Sequence, residues 1–225
     1  MVLWDIDGTL CRSDALGAAV IAEAIEAEAG RPARPLPLHG KTDPQIVREH
    51  LVDLGLAATD VQIASVLDGV VSRLADRREE LWAATTVLPG VRAVLELLAA
   101  RGDVHQSVVT GNLRPNAVLK LEAAGLAHLL DLRFMATGSD GADRNLLPGV
   151  SLARATEAGV QIDPRHTWVV GDTDRDLACA RASGLRCLLV GTGVSPVPRA
   201  AQVDADAYRP DLSEVDEVVG LLVGR

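Results

Sequence analysis

From Leu88 onward, helical segments alternate with short runs of Val and Leu, and this alternation restricts the fold more than any other feature. Residues 89–100 have helical spacing and stop at Gly102; 104–110 read as a strand. The helix at 115–124 is closed by Gly125 and is followed by a short strand at 132–136. A helix at 152–158, a strand at 167–171, a helix at 174–182 closed by Gly184, and a strand at 185–190 continue the series. Asp211 and Glu214 are spaced to cap a last helix. Strands that are apolar on both faces belong to a parallel sheet covered by helices on both sides. Residues 2–6, apolar apart from Asp5, are expected to join the same sheet. Only Met1 precedes them, so either this strand is short or the true start of the protein lies upstream.

Between that first strand and Leu88 the pattern is helical. Ser13 is placed to cap a helix over 14–29, with Leu16, Val20 and Ala24 in one row and Ile21 and Ile25 in the next. Gly30 ends it, and Pro32, Pro35 and Pro37 hold a loop open. Asp43 is expected to cap a second helix with Pro44 at its first position. Thr59 and Gln62 have the spacing of a capping box, ahead of a helix with Ile63, Val66, Leu67, Val70 and Leu74 on one face. The chain is therefore expected to be α/β. Its core is a parallel sheet built from 1–12 and 86–225, and 13–85 form an inserted helical cap domain.

Ligands of open parallel sheets bind beyond the carboxyl ends of the strands. Three expected strands end in polar clusters there: Asp5-Ile6-Asp7-Gly8-Thr9, Thr110-Gly111-Asn112 and Gly171-Asp172-Thr173-Asp174. Two carboxylates two residues apart in a poorly solvated site repel each other, and a cation relieves this. Carboxylate oxygens together with water and phosphate oxygens suit Mg²⁺, and Asp172 offers a further hard ligand. A carboxylate also attacks phosphorus to give an acyl phosphate, and a second one, when protonated, serves the leaving alcohol and then activates water. Gly8 lets the backbone turn and bring amides to an anion. Thr110 offers a hydroxyl and Gly111 and Asn112 offer amides, the makings of a phosphate cradle, although Thr-Gly-Asn is also a common turn.

Composition narrows the partners. There are 22 basic and 31 acidic residues, a formal net charge of −9, which argues against a general nucleic-acid binder. Apolar runs are too short to span a membrane. No basic region or cleavage pattern opens the chain, so the cytoplasm is the expected compartment. The three cysteines, Cys11, Cys179 and Cys187, form no CxxC and are expected to be reduced. With aromatics at 2%, the core rests on aliphatic residues, and Trp4, Trp82 and Trp168 are expected to be buried.

These motifs resemble the haloacid dehalogenase superfamily of phosphatases. VLWDIDGTL is similar to that family's apolar strand with DxDGT, SVVTGN to its strand ending in Thr or Ser, and WVVGDTDRD to its GDxxxD. They occur in the family's order. The resemblance implies a Rossmann-like core, a small helical cap, Mg²⁺ and a small phosphorylated metabolite as partner, in a monomer or homodimer. It implies Asp5 as nucleophile and metal ligand, and Asp7 as general acid/base whose backbone carbonyl touches the metal. Asp172 becomes a metal ligand, Asp176 a support of the metal, and Gly8, Thr9, Thr110, Gly111 and Asn112 the phosphate contacts. The family's remaining motif is usually a lysine. Of the two lysines here, neither lies in the expected stretch before Asp172; Arg144 does, and Lys120 is the fallback. The Gly40-Lys41-Thr42-Asp43 stretch resembles cap loops of phosphoglycolate phosphatases, with Lys41 meeting a distal anionic group. Competing readings stay open. One is a phosphomutase of the β-phosphoglucomutase type, another a non-catalytic phospho-ligand binder. Asp43 merely capping its helix and Arg144 on the surface are the plainer structural alternatives.

Overall fold

In the computed structural model, β1 (Val2–Trp4) lies inside a five-stranded parallel sheet. The structure describes every residue except Asp14, Leu36 and Arg225. Strands β4 (Gln106–Val108), β5 (Trp168–Gly171), β6 (Arg186–Val190) and β7 (Ala207–Arg209) complete the sheet in the order β4-β1-β5-β6-β7. A small antiparallel ribbon, β2 (Cys11–Arg12) with β3 (Thr86–Val87), joins the two points where the helical insertion leaves and re-enters the core. β1 is central because both its faces are apolar: Val2, Leu3 and Trp4 are each at most 1% exposed. Around it pack helices α5 (Val91–Ala99), α6 (Arg114–Ala123), α7 (Leu147–Glu157), α8 (Asp174–Ala182), α9 (Arg199–Asp204) and α10 (Val215–Leu222). Two apolar clusters result, one on each face of the sheet. Trp4, Leu95 and Leu188 belong to the first, and Leu3, Val169 and Leu189 to the second.

The inserted segment carries α1 (Leu16–Ala29), α2 (Asp43–Asp53), α3 (Asp60–Asp76) and α4 (Arg78–Ala84). Its apolar rows meet in a third cluster that includes Val20, Ile25, Leu51 and Leu74. No helix among the described residues is long and apolar enough to cross a membrane.

Several local expectations change. Residues 132–136 form no strand; only Ala136 bridges to Val109, because the chain there turns through tight loops. β7 and the β2–β3 ribbon had too few residues to show a period. Asp14 lies outside the described residues, and Ser13 meets α1 through its carbonyl, which accepts from the Leu16 amide. Ala15 stands at the helix N-cap with φ 59°, a left-handed conformation that is costly for a residue with a Cβ. Thr42, not Asp43, caps α2, its hydroxyl accepting from the Gln45 amide. Asp43 is freed for a longer-range bond. Glu214 stands at the N-cap of α10 without a side-chain bond, and Asp211 accepts from the Ser213 amide instead. The Thr59–Gln62 box forms as expected. Trp4 and Trp168 are buried, whereas Trp82 is half-buried under the Arg78 guanidinium. All three cysteines are buried and free.

Candidate active site

Parallel strands deliver their carboxyl ends to one edge, and three of these ends build the site. The chain leaves β1 into Asp5 and turns at Gly8, φ 83°. A Cβ on Gly8 would stand 2.6 Å from an Asp172 oxygen, so only glycine permits the β1 and β5 ends to approach this closely. Gly171 likewise leaves room for the Asp176 carboxyl behind it. Asp5, Asp172 and Asp176 thereby offer carboxylate oxygens that all lie within 4.8 Å of one another, and all three residues are buried. Asp176 also holds its own helix: its Oδ2 accepts from the Thr173 amide at 3.0 Å and the Thr173 hydroxyl at 2.7 Å.

Arg144, in a short 3-10 turn that runs into α7, reaches this cluster from the side. Its Nη2 lies 2.9 Å from Asp5 Oδ1 and also binds Asp176 Oδ1. Three ionised carboxylates against one guanidinium leave two negative charges unbalanced. Burial and the charges of Asp176 and Asp5 push Asp172 up to about 8. Burial also raises Asp5 to about 6, against the pull of Arg144. A buried, proton-hungry set of hard oxygen donors short of two positive charges is what a divalent cation such as Mg²⁺ fits.

Asp7 stands apart from that cluster. Its side chain is 45% exposed and opens into the cavity. Lys120 Nζ donates to both its oxygens, at 2.7 and 2.6 Å, and to Asn112 Oδ1 at 2.7 Å. Asn112 Nδ2 donates to Asp7 Oδ2 at 2.7 Å and to the Thr110 hydroxyl at 2.8 Å. Enclosure by the cleft would raise the Asp7 carboxyl, but the Lys120 charge and these hydrogen bonds win and hold it below the usual range. Lys120 sits in the last turn of α6, and helical side chains lean towards the N-terminus, which carries its ammonium to the motif end. Both candidate cations thus enter the site, Arg144 at Asp5 and Lys120 at Asp7. Sequence spacing concealed this because it read the two as alternatives for one place.

The remaining expected residues distribute themselves plainly. Thr110, Gly111, Asn112, Gly8 and Lys41 line one cavity of about 340 Å³ with Asp5, Asp7, Asp172, Arg144 and Lys120. Thr9 does not line it; its hydroxyl turns inward and donates to Asp172 Oδ1 at 3.2 Å. Lys41 is ion-paired to Glu49 on α2. Asp43 was missed as a site residue. Its amide donates to the Gly111 carbonyl at 2.8 Å, and its carboxylate accepts from the Leu113 amide at 2.8 Å. Thr42 adds a hydrogen bond to the Ala142 carbonyl at 2.7 Å. A Cβ on Gly111 would strike the Lys41 carbonyl, so the inserted segment rests directly on the Thr110 loop.

Comparison with known proteins agrees with this architecture. The haloacid dehalogenase-like hydrolase family model matches residues 2–181, and a second HAD-like hydrolase model matches 148–219. Phosphoglycolate phosphatases of Chromobacterium violaceum and Rhodospirillum rubrum are 30% and 29% identical to the chain. Each match covers 97% of it, and 95% and 90% of the respective relative. The plasmid-borne phosphoglycolate phosphatase of Cupriavidus necator is 31% identical over 92% of the chain and 87% of its own length. Among solved structures, CbbY from Rhodobacter sphaeroides in complex with phosphate superposes with a TM-score of 0.72 at 18% identity, covering 95% of both chains. A hydrolase from Pseudomonas syringae gives 0.68 at 22%, covering 96% of this chain and 95% of its own. With the family model spanning most of the sequence and its three motifs gathered at one sheet edge, the chain belongs to the haloacid dehalogenase-like hydrolases.

Proposed function

We propose that this phosphatase hydrolyses a small phosphate monoester in two steps, through an aspartyl phosphate on Asp5 and with Mg²⁺ as its metal. The observation that carries this reading is the buried Asp5–Asp172–Asp176 cluster, whose Asp5 and Asp172 line a ligand-sized cavity together with Asp7. Asp5 attacks phosphorus, and the bond to the ester oxygen breaks. Asp7 gives the departing oxygen its proton. Lys120 keeps Asp7 ionised in the free enzyme; an incoming phosphate places negative charge beside it, which raises its proton affinity, so that Asp7 takes up a proton from solvent as the substrate binds. Asp7 then takes a proton from water as that water attacks phosphorus, which restores Asp5 and releases phosphate. Thr110 and the Gly111 amide hold the phosphoryl oxygens, and Arg144 keeps Asp5 oriented. Asp5, Asp172 and the Asp7 carbonyl would hold Mg²⁺, with Asp176 in support, and the bound ion would supply charge withdrawal from the phosphoryl oxygens.

In the same reading, residues 13–85 act as a cap domain over a core of 1–12 and 86–225. The bonds from Thr42 and Asp43 to the core support a closed state that keeps bulk water from the intermediate. The test is phosphate release from a panel of phosphate esters with Mg²⁺ and with chelator, run beside Asp5→Asn. Metal-dependent release lost in the variant supports the reading; release that persists in chelator, or in Asp5→Asn, overturns it.

A further inference from the structure

Asn116 is a polar side chain that the two-step reaction does not use. It lies in the first turn of α6, is 3% exposed, and lines the same cavity as Asp5 and Asp7. Its Oδ1 is shut off from solvent and has no hydrogen-bond partner. No hydrogen bond among the described residues holds either end of its amide. An unpartnered buried amide is costly, and an apolar side chain of the same shape would pack there at less cost. At the wall of a cavity, such a group is explained by a ligand group that completes it.

The neighbours of Asn116 decide which ligand group fits. Asn116 and Lys120 stand four residues apart on α6 and share one face of it. Lys120 is already held by Asp7 and Asn112. Towards the start of the helix, the Asp43 carboxylate accepts from the Leu113 amide, and Asp43 and Asp7 are both close enough to act on the Lys120 charge. An anionic group on Asn116 would face these two carboxyls, and an ammonium would face that of Lys120. A neutral hydroxyl meets neither obstacle. It donates and accepts, so it completes the amide whichever end is turned to the cavity. Arg12 has no ionic partner, its guanidinium donating to the Thr192 and Gly193 carbonyls. It serves the other flank of the cavity, because those carbonyls follow β6, whereas α6 follows β4 at the far edge of the sheet.

We propose, on the phosphatase reading above, that Asn116 is a specificity-determining residue that hydrogen-bonds a free hydroxyl on the organic part of the ester. The substrate is then a monoester of a diol or polyol. An ester of a simple alcohol leaves the amide unpartnered in the complex, and the site selects against it for that reason. Asn116 also separates this chain's preference from the name of its relatives, since phosphoglycolate carries a carboxylate and no free hydroxyl on its two carbons.

The test sets each hydroxylated ester against the same ester without the hydroxyl: 2-hydroxyethyl against ethyl phosphate, and 2-hydroxypropyl and 3-hydroxypropyl against propyl phosphate. 2-Aminoethyl phosphate and 2-phosphoglycolate run alongside. Two readouts are taken: kcat/KM with Mg²⁺, and calorimetric binding to Asp5→Asn. The expected result is a preference of about tenfold or more for the hydroxylated member of at least one pair, in both readouts. That ester should also exceed the amino and carboxylate esters. Asn116→Leu, close to Asn in shape, should bring the ratio near one whatever it does to the absolute rate, which a purely structural role would not do. Asn116→Ala should do the same and serves where Leu does not fold. Ratios near one in every pair, a preference for the amino or carboxylate ester, or a preference that survives both variants overturns the inference and leaves the phosphatase reading standing. No release from any ester, with binding that favours the hydroxylated member only while Asn116 is present, overturns the phosphatase reading and keeps the role of Asn116. Neither release nor hydroxyl-dependent binding removes both.

Discussion

Replacing Asp172 by Asn should make the metal-free enzyme more stable while abolishing its use of metal. Burial, with Asp176 and Asp5 beside it, raises the Asp172 carboxyl from 3.8 to about 8. For an acid raised on folding, stability is fully present below the unfolded value and is lost as pH rises through the folded one. At pH 7 in chelator the folded protein retains a proton that the unfolded chain has released. That costs about 1.4 kcal/mol per pH unit above 3.8, or about 4 kcal/mol at most. Asn has the same shape, carries no charge and still accepts the Thr9 hydroxyl, so it removes this penalty. Asp5 and Asp176 repel Asp172 and share part of the penalty between them, so we expect a gain of roughly 1–4 kcal/mol. In a chain of this length that is a Tm increase of roughly 2–16 °C. The assay is thermal unfolding by circular dichroism in chelator at pH 7.5, 6 and 4. The gap between variant and wild type should shrink as pH falls and close near pH 4. Added Mg²⁺ should raise the wild-type Tm and leave Asp172→Asn nearly unmoved. A variant less stable than wild type at pH 7.5 in chelator, or a gap independent of pH, would refute the account of the carboxylate cluster.

Asp5→Asn should lower turnover by roughly 10³-fold or more with an unchanged circular dichroism spectrum; a smaller loss of phosphate release removes Asp5 as nucleophile. Ca²⁺ in place of Mg²⁺ should inhibit, since its looser coordination misplaces the nucleophile, and full activity with Ca²⁺ would argue against a strict metal geometry. Lys120→Met leaves Asp7 with Asn112 alone and should cost about 1–3 kcal/mol. The wild-type Asp7 carboxyl is depressed, so its contribution is present at neutral pH and lost as pH falls into the acid range. The urea midpoint of Lys120→Met should therefore lose its deficit in acid; a deficit that persists there would mean lost packing rather than a lost ion pair. Gly111→Ala pushes a Cβ into the Lys41 carbonyl and should raise KM and lower kcat together by parting the inserted segment from the Thr110 loop. Unchanged kinetics would show that this contact plays no part in turnover.

Much of the site was legible in local patterns. An apolar run ending in Asp-x-Asp-Gly-Thr reads as a strand that delivers carboxylates to a sheet edge. The Thr59–Gln62 box and the helix at Asp174–Ala182 followed from short-range chemistry alone. Thr42 and Asp43 show where such reading fails. Either side chain suits a helix N-cap, and the choice fell to Thr42 because the Leu113 amide, seventy positions away in sequence, claims the Asp43 carboxylate. Arg144 and Lys120 show the same limit, since their partners are set by which carboxylate each reaches.

By itself, then, the order of residues determined the alternation of helix and strand, the family, and the carboxylates available to chemistry. Those depend on periodicity and on motifs a few residues long. Tertiary structure alone decided that Arg144 serves Asp5 while Lys120 serves Asp7, that Thr9 faces inward, and that residues of the inserted helices line the same cavity as the carboxylates. Each of these is a distance between segments far apart in the chain, and no local period encodes such a distance.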